Sequence, residues 1–157
     1  MTGPPFQLHH IGLLVKAIET ATELQVARYG YCIESAVISD PVQTAQVRFL
    51  RLPLGQHWLE LVAPMAGESK LANALAKRGE GLHHLCYEVS DIAAACEHLR
   101  AGRQMMLAGP TPAVAFGGRP IAWFMDRAGF LTELVEAGPG PLSLASILSP
   151  HAQESQR

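Results

Sequence analysis

The stretch Leu8-His9-His10-Ile11 decides the fold, because it recurs 74 residues later in the chain as Leu82-His83-His84-Leu85. The same offset aligns further identical pairs: Val15 with Val89, Ile18 with Ile92, Ala21 with Ala95, and Glu23 with Glu97. A second block matches at an offset of 73, where Leu59-Glu60-Leu61-Val62 aligns with Thr132-Glu133-Leu134-Val135. A fixed offset is typical of internal duplication, so we expect two copies of one unit, residues 6–65 and 80–138.

Each copy has the pattern of a strand followed by a helix. Residues 8–15 are apolar and short, as in a buried strand, and residues 17–28 then have apolar side chains at helical spacing before Gly30. In the second copy Ser90 or Asp91 is a suitable N-cap, and Gly102 follows the helical stripe. Three strand-like stretches follow each helix. They are 33–39, 47–52 and 57–62 in the first copy, and 105–107, 120–125 and 130–135 in the second, where a Gly/Pro-rich stretch, 109–118, is predicted to be a loop.

The sequence therefore predicts an α+β fold with two pseudo-symmetric βαβββ modules that form a curved mixed sheet around a cavity. A short helix over residues 68–78 is predicted to join the modules. Together they make one domain, residues 1–138. The remaining residues, 139–157, are predicted to be a C-terminal tail whose last part, 149–157, is polar enough to fray.

The repeated residues include a histidine in each first strand and a glutamate in each last strand. Side chains alternate along a strand, so if Ile11, Leu13 and Val15 face the helix, His10 faces the cavity. The same phase brings His84 to the cavity with Cys86 and Glu88. Two modules side by side would then bring four side chains toward one axis: His10, Glu60, His84 and Glu133. Two imidazoles and two carboxylates are suitable ligands for a divalent metal ion.

Electrostatics supports a metal site. Two partly buried carboxylates repel each other, whereas a divalent ion with two neutral histidines balances their charge to zero. Four protein ligands leave positions for water or a substrate oxygen, so that the ion can act as a Lewis acid. Beside these ligands, His9 and His83 are predicted to support the site or to face outward, and Cys86 is predicted to serve packing. His57, His98 and His151 are predicted to be solvated.

These features resemble the vicinal oxygen chelate superfamily, which includes glyoxalase I, methylmalonyl-CoA epimerase, extradiol dioxygenases and antibiotic-resistance proteins. The resemblance covers residues 7–137 and is strongest to the epimerase branch. It is carried by residues 8–12, 52–55, 59–64 and 79–84, and continues in 88–92, 117–120 and 133–136. It implies that His10, Glu60, His84 and Glu133 bind one divalent ion, which is cobalt, nickel, manganese, zinc or iron.

The resemblance also implies a reaction. In such enzymes the metal binds substrate oxygens and stabilises the enediolate that forms when a proton leaves the adjacent carbon, and a glutamate moves that proton. Glu60 or Glu133 would be that base, and the substrate would be an acyl-CoA or a glutathione adduct. We expect a homodimer, and we expect it in the cytoplasm because Met1–Gln7 has no basic segment followed by an apolar one. One position departs from the pattern: epimerases carry a further glutamate before the third strand, whereas residues 43–46 contain no carboxylate.

Two alternatives stay open at the level of sequence. A glyoxalase I-like lyase uses the same ligand types and needs cationic residues for glutathione, for which Arg28, Arg48, Arg51 and Arg119 are available. A small-molecule binding or resistance protein needs no metal ligands. Composition excludes other classes: the net charge of −2 and scattered basic residues do not favour nucleic acid, and no apolar run suits a membrane span. Three widely spaced cysteines indicate reduced thiols.

Overall fold

The computed structural model of the protein describes residues 3–148, which contain strands in mixed pairing and helices of an α+β fold. The nine strands are β1 (Gln7–Leu14), β2 (Cys32–Ile33), β3 (Ile38–Asp40), β4 (Ala45–Arg51), β5 (Trp58–Pro64), β6 (Gly81–Val89), β7 (Met105–Pro112), β8 (Pro120–Met125) and β9 (Leu131–Glu136). The helices are α1 (Ile18–Tyr29), α2 (Lys70–Arg78), α3 (Ile92–Ala101) and α4 (Leu144–Leu148). The predicted α+β class and mixed strand pairing are confirmed.

The chain divides into two compact units, of which one is His10–Leu85. In this unit the strand order is β2-β4-β5-β1, and β3 pairs with the same strand as β2. β1 and β5 run parallel, with Gly12 opposite Glu60, while β4 is antiparallel to its three partners. The parallel pairing of β1 with β5 requires a crossover connection, which α1 and the intervening strands supply.

A core forms between α1 and the sheet of this unit. It consists of Val15, Ile18, Ala21, Leu50, Leu59, Leu61 and Ala63, with Ile11 and Leu13 packed against it. The helix ends at Gly30, which has φ 75° and donates its N–H to the Val26 carbonyl, as a left-handed C-terminal glycine does. The linking helix is α2, and it is capped by the Ser69 side chain, which accepts a hydrogen bond from the Leu71 N–H. Helices α1 and α2 thus lie where the sequence predicts them.

The other unit consists of residues 3–9 and 86–148 of the described chain. Its strand order is β6-β9-β8-β7, and α3 covers a core of Val89, Ile92, Ala95, Cys96, Ala122, Phe124 and Leu134. Asp91 is the N-cap of α3, since its side chain accepts a hydrogen bond from the Ala94 N–H at 3.0 Å. The cap and the glycine after the helix, Gly102, confirm the prediction.

Two strand predictions were wrong in detail. Residues 33–39 form no continuous strand, because the Ser35 hydroxyl accepts the Phe49 N–H between β2 and β3. Residues 109–112 belong to β7 rather than to a loop. β7 pairs with β8 through two register shifts, and an edge strand with bulges accommodates glycine and proline.

Three further predictions concern the C-terminal tail, membrane-spanning helices and the cysteines. Residues 149–157, with His151, lie outside the described residues, whereas 144–148 of the predicted tail form α4. Within the described residues no helix has the length and apolar character needed to span a membrane. Within the described residues the cysteines form no disulfide, and Cys86 and Cys96 are buried while Cys32 is exposed.

Candidate metal centre

His10 lies in β1 on the face opposite to α1. The sequence placed Ile11 and Leu13 toward the helix, and both pack against the core beneath it, which confirms the predicted phase of this strand. His10 is therefore turned to the other face, where its side chain is fully buried. Its imidazole packs edge-on against Phe49, with ring centroids 5.4 Å apart. This contact holds the ring in one orientation.

Glu60 occupies the centre of β5 on the same face. Its neighbours Leu59 and Leu61 belong to the core beneath α1, so alternation turns the Glu60 carboxylate away from the helix. Across the sheet Glu60 is opposite Gly12 of β1 and Phe49 of β4. Only 6% of Glu60 is exposed, and a carboxylate so deeply buried needs a charged partner.

His84 completes a cluster of three side chains within the unit His10–Leu85. Glu60 Oε2 lies 3.0 Å from His10 Nε2 and 3.1 Å from His84 Nε2. The two Nε2 atoms are themselves 3.0 Å apart. Three polar atoms thus form a nearly equilateral triangle, with all three side chains buried. The structure brings these three predicted ligands together, and their role in binding a metal stays a prediction.

The charge of Glu60 is maintained by the imidazoles. Burial by itself raises the pKa of Glu60, but the neighbouring His10 and His84 outweigh this effect and hold the pKa well below its usual range. Glu60 is therefore a carboxylate at neutral pH. Among residues 3–148, however, no donor makes a hydrogen bond of suitable geometry to its Oε2 atom. A buried anionic oxygen without such a bond is what a cation would satisfy.

The spacing of the three atoms also fits a metal ion. Ligand atoms about 2.1 Å from an ion lie about 3.0 Å apart when they occupy adjacent octahedral positions, and about 3.4 Å apart in a tetrahedral site. The observed separations of 3.0 and 3.1 Å match the octahedral value. Nitrogen and carboxylate ligands suit the divalent transition metals. The three residues therefore fit a divalent ion with further positions available.

Gly12 makes room for this cluster, a role that the sequence analysis missed. A Cβ atom built on Gly12 would collide with the imidazole ring of His84. Any other residue at this position would displace His84 from Glu60. The available signal was a glycine in the middle of an apolar strand, which often marks the close approach of another group.

Glu133, the fourth predicted ligand, lies in β9 of the other unit. It is 3% exposed and is opposite Trp123 of β8. The next residue, Leu134, belongs to the core beneath α3, so Glu133 is turned to the sheet face away from that helix. Glu133 thus has the same relation to the helix of its unit as Glu60 has to α1, as the repeat predicts.

The same unit contains a buried ion pair that holds the C-terminal segment. Glu88 Oε2 lies 3.6 Å from a guanidinium nitrogen of Arg119 and accepts the Leu144 N–H at 3.2 Å. Arg119 also donates to four backbone carbonyls, those of Phe116, Glu136, Pro141 and Leu142. His9 adds a contact from its Nε2 to the Leu142 carbonyl at 2.7 Å. Glu88, predicted for the cavity face, therefore anchors the chain after β9.

The remaining predicted residues have ordinary surroundings. Cys86 is fully buried, in keeping with packing, and His98 is exposed on α3. Arg48 is paired with Glu19 at 3.0 Å, and Arg51 with Glu34 at 2.7 Å. These two arginines and Arg119 are therefore engaged within their own units.

Comparisons with known proteins find relatives that are similar over most of the chain. The family model for the Glyoxalase/Bleomycin resistance protein/Dioxygenase superfamily matches residues 9–123. The ethylmalonyl-CoA/methylmalonyl-CoA epimerase of Cereibacter sphaeroides is 31% identical over 134 residues, which cover 82% of this chain and 96% of that protein.

Solved structures give the same result. The crystal structure of methylmalonyl-CoA epimerase from Mycobacterium tuberculosis is similar with a TM-score of 0.75 and 28% identity, over 84% of this chain and 88% of that chain. A methylmalonyl-CoA epimerase in complex with methylmalonyl-CoA and NH4+ is similar with a TM-score of 0.74 and 25% identity, over 87% of this chain and 97% of that chain. The similarity thus extends over nearly the whole of each relative.

Proposed function

Because the chain belongs to the Glyoxalase/Bleomycin resistance protein/Dioxygenase superfamily, we propose that it is a metal-dependent epimerase of methylmalonyl-CoA or a similar 2-alkylmalonyl-CoA thioester. The superfamily expected from the resemblance is confirmed. The observation that carries the proposal is the triangle of His10, Glu60 and His84 in a chain that is similar to epimerases over most of its length. The proposal combines this geometry with the chemistry of those relatives.

Four residues would hold the ion. His10 and His84 offer their Nε2 atoms and Glu60 its Oε2, while Glu133 is proposed as the fourth ligand because the repeat aligns it with Glu60. Two carboxylates and two neutral imidazoles then balance a divalent charge. When bound, the ion supplies Lewis acidity, which polarises a substrate carbonyl and makes the proton on the adjacent carbon more acidic.

The proton itself is moved by a carboxylate, and we assign this step to Glu133. Glu60 is the less suitable base, because its Oε2 lies 3.0 and 3.1 Å from the Nε2 atoms of His10 and His84 and would be engaged by the ion that they hold. Glu133 lies in the equivalent strand of the other copy and faces away from the helix-covered core. A Glu133 carboxylate oxygen would take the proton from the carbon between the two carbonyl groups and later return it.

A second carboxylate for the opposite face of the substrate is not found where epimerases carry one. Residues 43–46 contain no acid. The nearest carboxylate in the sequence is Asp40, whose Oδ1 accepts the N–H groups of Val42 and Gln43 at 3.0 and 3.1 Å and so fixes the turn before β4. We therefore propose that proton removal is fast and that return on the opposite face, from water, is slow.

Three of the arginines considered for binding glutathione are engaged within the protein. A glutathione carboxylate needs a cationic partner, yet Arg48, Arg51 and Arg119 are engaged with carboxylates of their own units. Arg28 is exposed in the last turn of α1. This distribution disfavours the glyoxalase I-like alternative.

The test is conversion of one enantiomer of methylmalonyl-CoA to the other by metal-loaded protein. We expect Glu133→Gln, assayed at saturating metal, to lower the rate about 10²- to 10⁴-fold, because an amide cannot accept the proton. The matched control is Glu97→Gln, in which an exposed carboxylate of α3 is lost and the rate should not change. Equal rates in Glu133→Gln and the wild type would refute the assignment of the base.

A further inference from the structure

Two consecutive histidines of β6 contact each other directly. His83 Nδ1 lies 2.8 Å from His84 Nδ1, and the two rings are nearly perpendicular, with an interplanar angle of 86°. Neighbouring side chains in a strand normally leave it on opposite faces, so a contact between their rings requires both Nδ1 atoms to turn toward the shared backbone. We propose that His83 is a positioning residue that holds His84 in the one tautomer able to bind the metal. This inference rests on the metal site of the proposed function.

The tautomer follows from which nitrogen faces the cluster. His84 directs Nε2 toward Glu60 Oε2, at 3.1 Å, and toward His10 Nε2, at 3.0 Å. A neutral imidazole that binds a metal through the Nε2 lone pair must carry its hydrogen on Nδ1. The Nδ1–H of His84 then donates to Nδ1 of His83, which accepts through its lone pair. His83 must consequently carry its own hydrogen on Nε2.

The burial of the two rings suits these roles. His84 is 6% exposed, so its Nδ1–H needs a partner within the protein. His83 is half-buried and provides that partner from the same strand. A hydrogen bond from the second nitrogen of a metal-binding imidazole orients the ring and makes the binding nitrogen more basic. Loss of such a bond typically weakens metal affinity about 10- to 100-fold.

The first histidine of the other copy contacts a different part of the chain. His9 is the equivalent of His83, yet its Nε2 binds the Leu142 carbonyl at 2.7 Å and its ring packs edge-on against Phe116. His9 thus anchors the segment after β9. The equivalent histidines His9 and His83 thus have different surroundings in the two copies.

The first experiment measures affinity for Zn²⁺ by competition with a chelator. We expect His83→Leu to bind Zn²⁺ about 10- to 100-fold more weakly than the wild type, and His83→Asn to stay within about threefold, because the Asn side-chain oxygen can accept the same hydrogen bond. His98→Leu is the matched control, since His98 is exposed, and it should bind as the wild type does. Wild-type affinity in His83→Leu would overturn the inference and leave the proposed function intact.

The second experiment reads the tautomers of the wild-type protein and needs no variant to fold. In the Zn²⁺-loaded protein, nitrogen NMR of the imidazoles should show hydrogen on Nδ1 of His84 and on Nε2 of His83. Hydrogen on Nδ1 of His83 would contradict the inference, because that nitrogen could not then accept. Failure of the wild type to bind Zn²⁺ or any other divalent ion would refute the metal site, and with it both proposals.

Discussion

At the scale of single residues, the His84 side chain lies directly against the backbone of Gly12. The imidazole of His84 occupies the space where a Cβ of residue 12 would lie. We therefore expect Gly12→Ala to displace His84 from Glu60 and to lower metal affinity at least about tenfold, as measured by chelator competition. Gly102→Ala is the matched control, because Gly102 has φ −75° and its Cβ would make only ordinary contacts. Unchanged affinity in Gly12→Ala would mean that His84 is not a ligand.

The ligands themselves can be tested by metal content. Purified protein should hold about one divalent ion per chain, and loss of one ligand from a four-ligand site should lower that occupancy. We expect reduced metal in His84→Ala and in Glu133→Gln, as measured by elemental analysis. Glu97→Gln, which alters an exposed glutamate on α3, should keep the wild-type content. Full occupancy in both ligand variants would remove these residues from the site.

Most of the cluster could be predicted from sequence, because alternation along β1 and the duplicated histidines and glutamates each restrict which residues face the same way. The importance of Gly12 and the contact of His83 with His84 could not. Both depend on how side chains pack once β1 and β6 are in place, and periodicity carries no information on ring orientation. The lowered pKa of Glu60 could not be predicted either, because it depends on the close contacts of the Glu60 carboxylate with His10 and His84.

At the scale of elements, the segment after β9 is held by side chains from three separate parts of the chain. Arg119 donates to the Pro141 and Leu142 carbonyls, His9 contacts the Leu142 carbonyl, and Glu88 accepts the Leu144 N–H. The sequence predicted a tail from residue 139, since proline and glycine recur there. A long-range network of this kind leaves no local pattern, so the prediction could not include it.

This network predicts a stability effect. Arg119→Leu removes the cation beside Glu88 and leaves a buried carboxylate without its ion-pair partner. We expect a loss of about 3 to 5 kcal/mol in the free energy of unfolding, as measured by urea denaturation. Arg127→Leu, in the exposed turn between β8 and β9, should change stability by less than about 0.5 kcal/mol. Equal stability of the two variants would show that Arg119 is dispensable for the fold.

The order of elements was easier to predict than their lengths. Helix ends were found because Gly30, Asp91 and Gly102 are strong local signals. β7 was predicted too short, since pairing with β8 overrides the local preference of glycine and proline. The strand predicted over 33–39 is divided by the Ser35 hydroxyl, which takes the place of a backbone partner for Phe49. In both cases contacts with a neighbouring strand, rather than the local sequence, determine where the strand begins and ends.

At the scale of the whole molecule, the duplication accounts for the two similar modules, each of which repeats a histidine in its first strand and a glutamate in its last strand. Each unit has its own helix-covered core, and the repeated glutamates, Glu60 and Glu133, are both buried on the sheet face away from the helix of their unit. The homodimer expected from the resemblance stays a prediction. Sedimentation of the purified protein should show a species of twice the chain mass, and a monomer at all concentrations would contradict it.

In the proposed reaction a single glutamate, Glu133, moves a proton next to a metal-polarised carbonyl. The most direct measurement is incubation of methylmalonyl-CoA in deuterated water with metal-loaded protein, followed by NMR or mass spectrometry of the α-carbon. We expect deuterium to enter faster than the enantiomers interconvert, because exchange needs one base and epimerisation needs proton delivery to both faces. Exchange should be lost in Glu133→Gln and after metal removal. Absence of exchange with metal-loaded wild type, together with turnover of the glutathione–methylglyoxal hemithioacetal, would contradict the account.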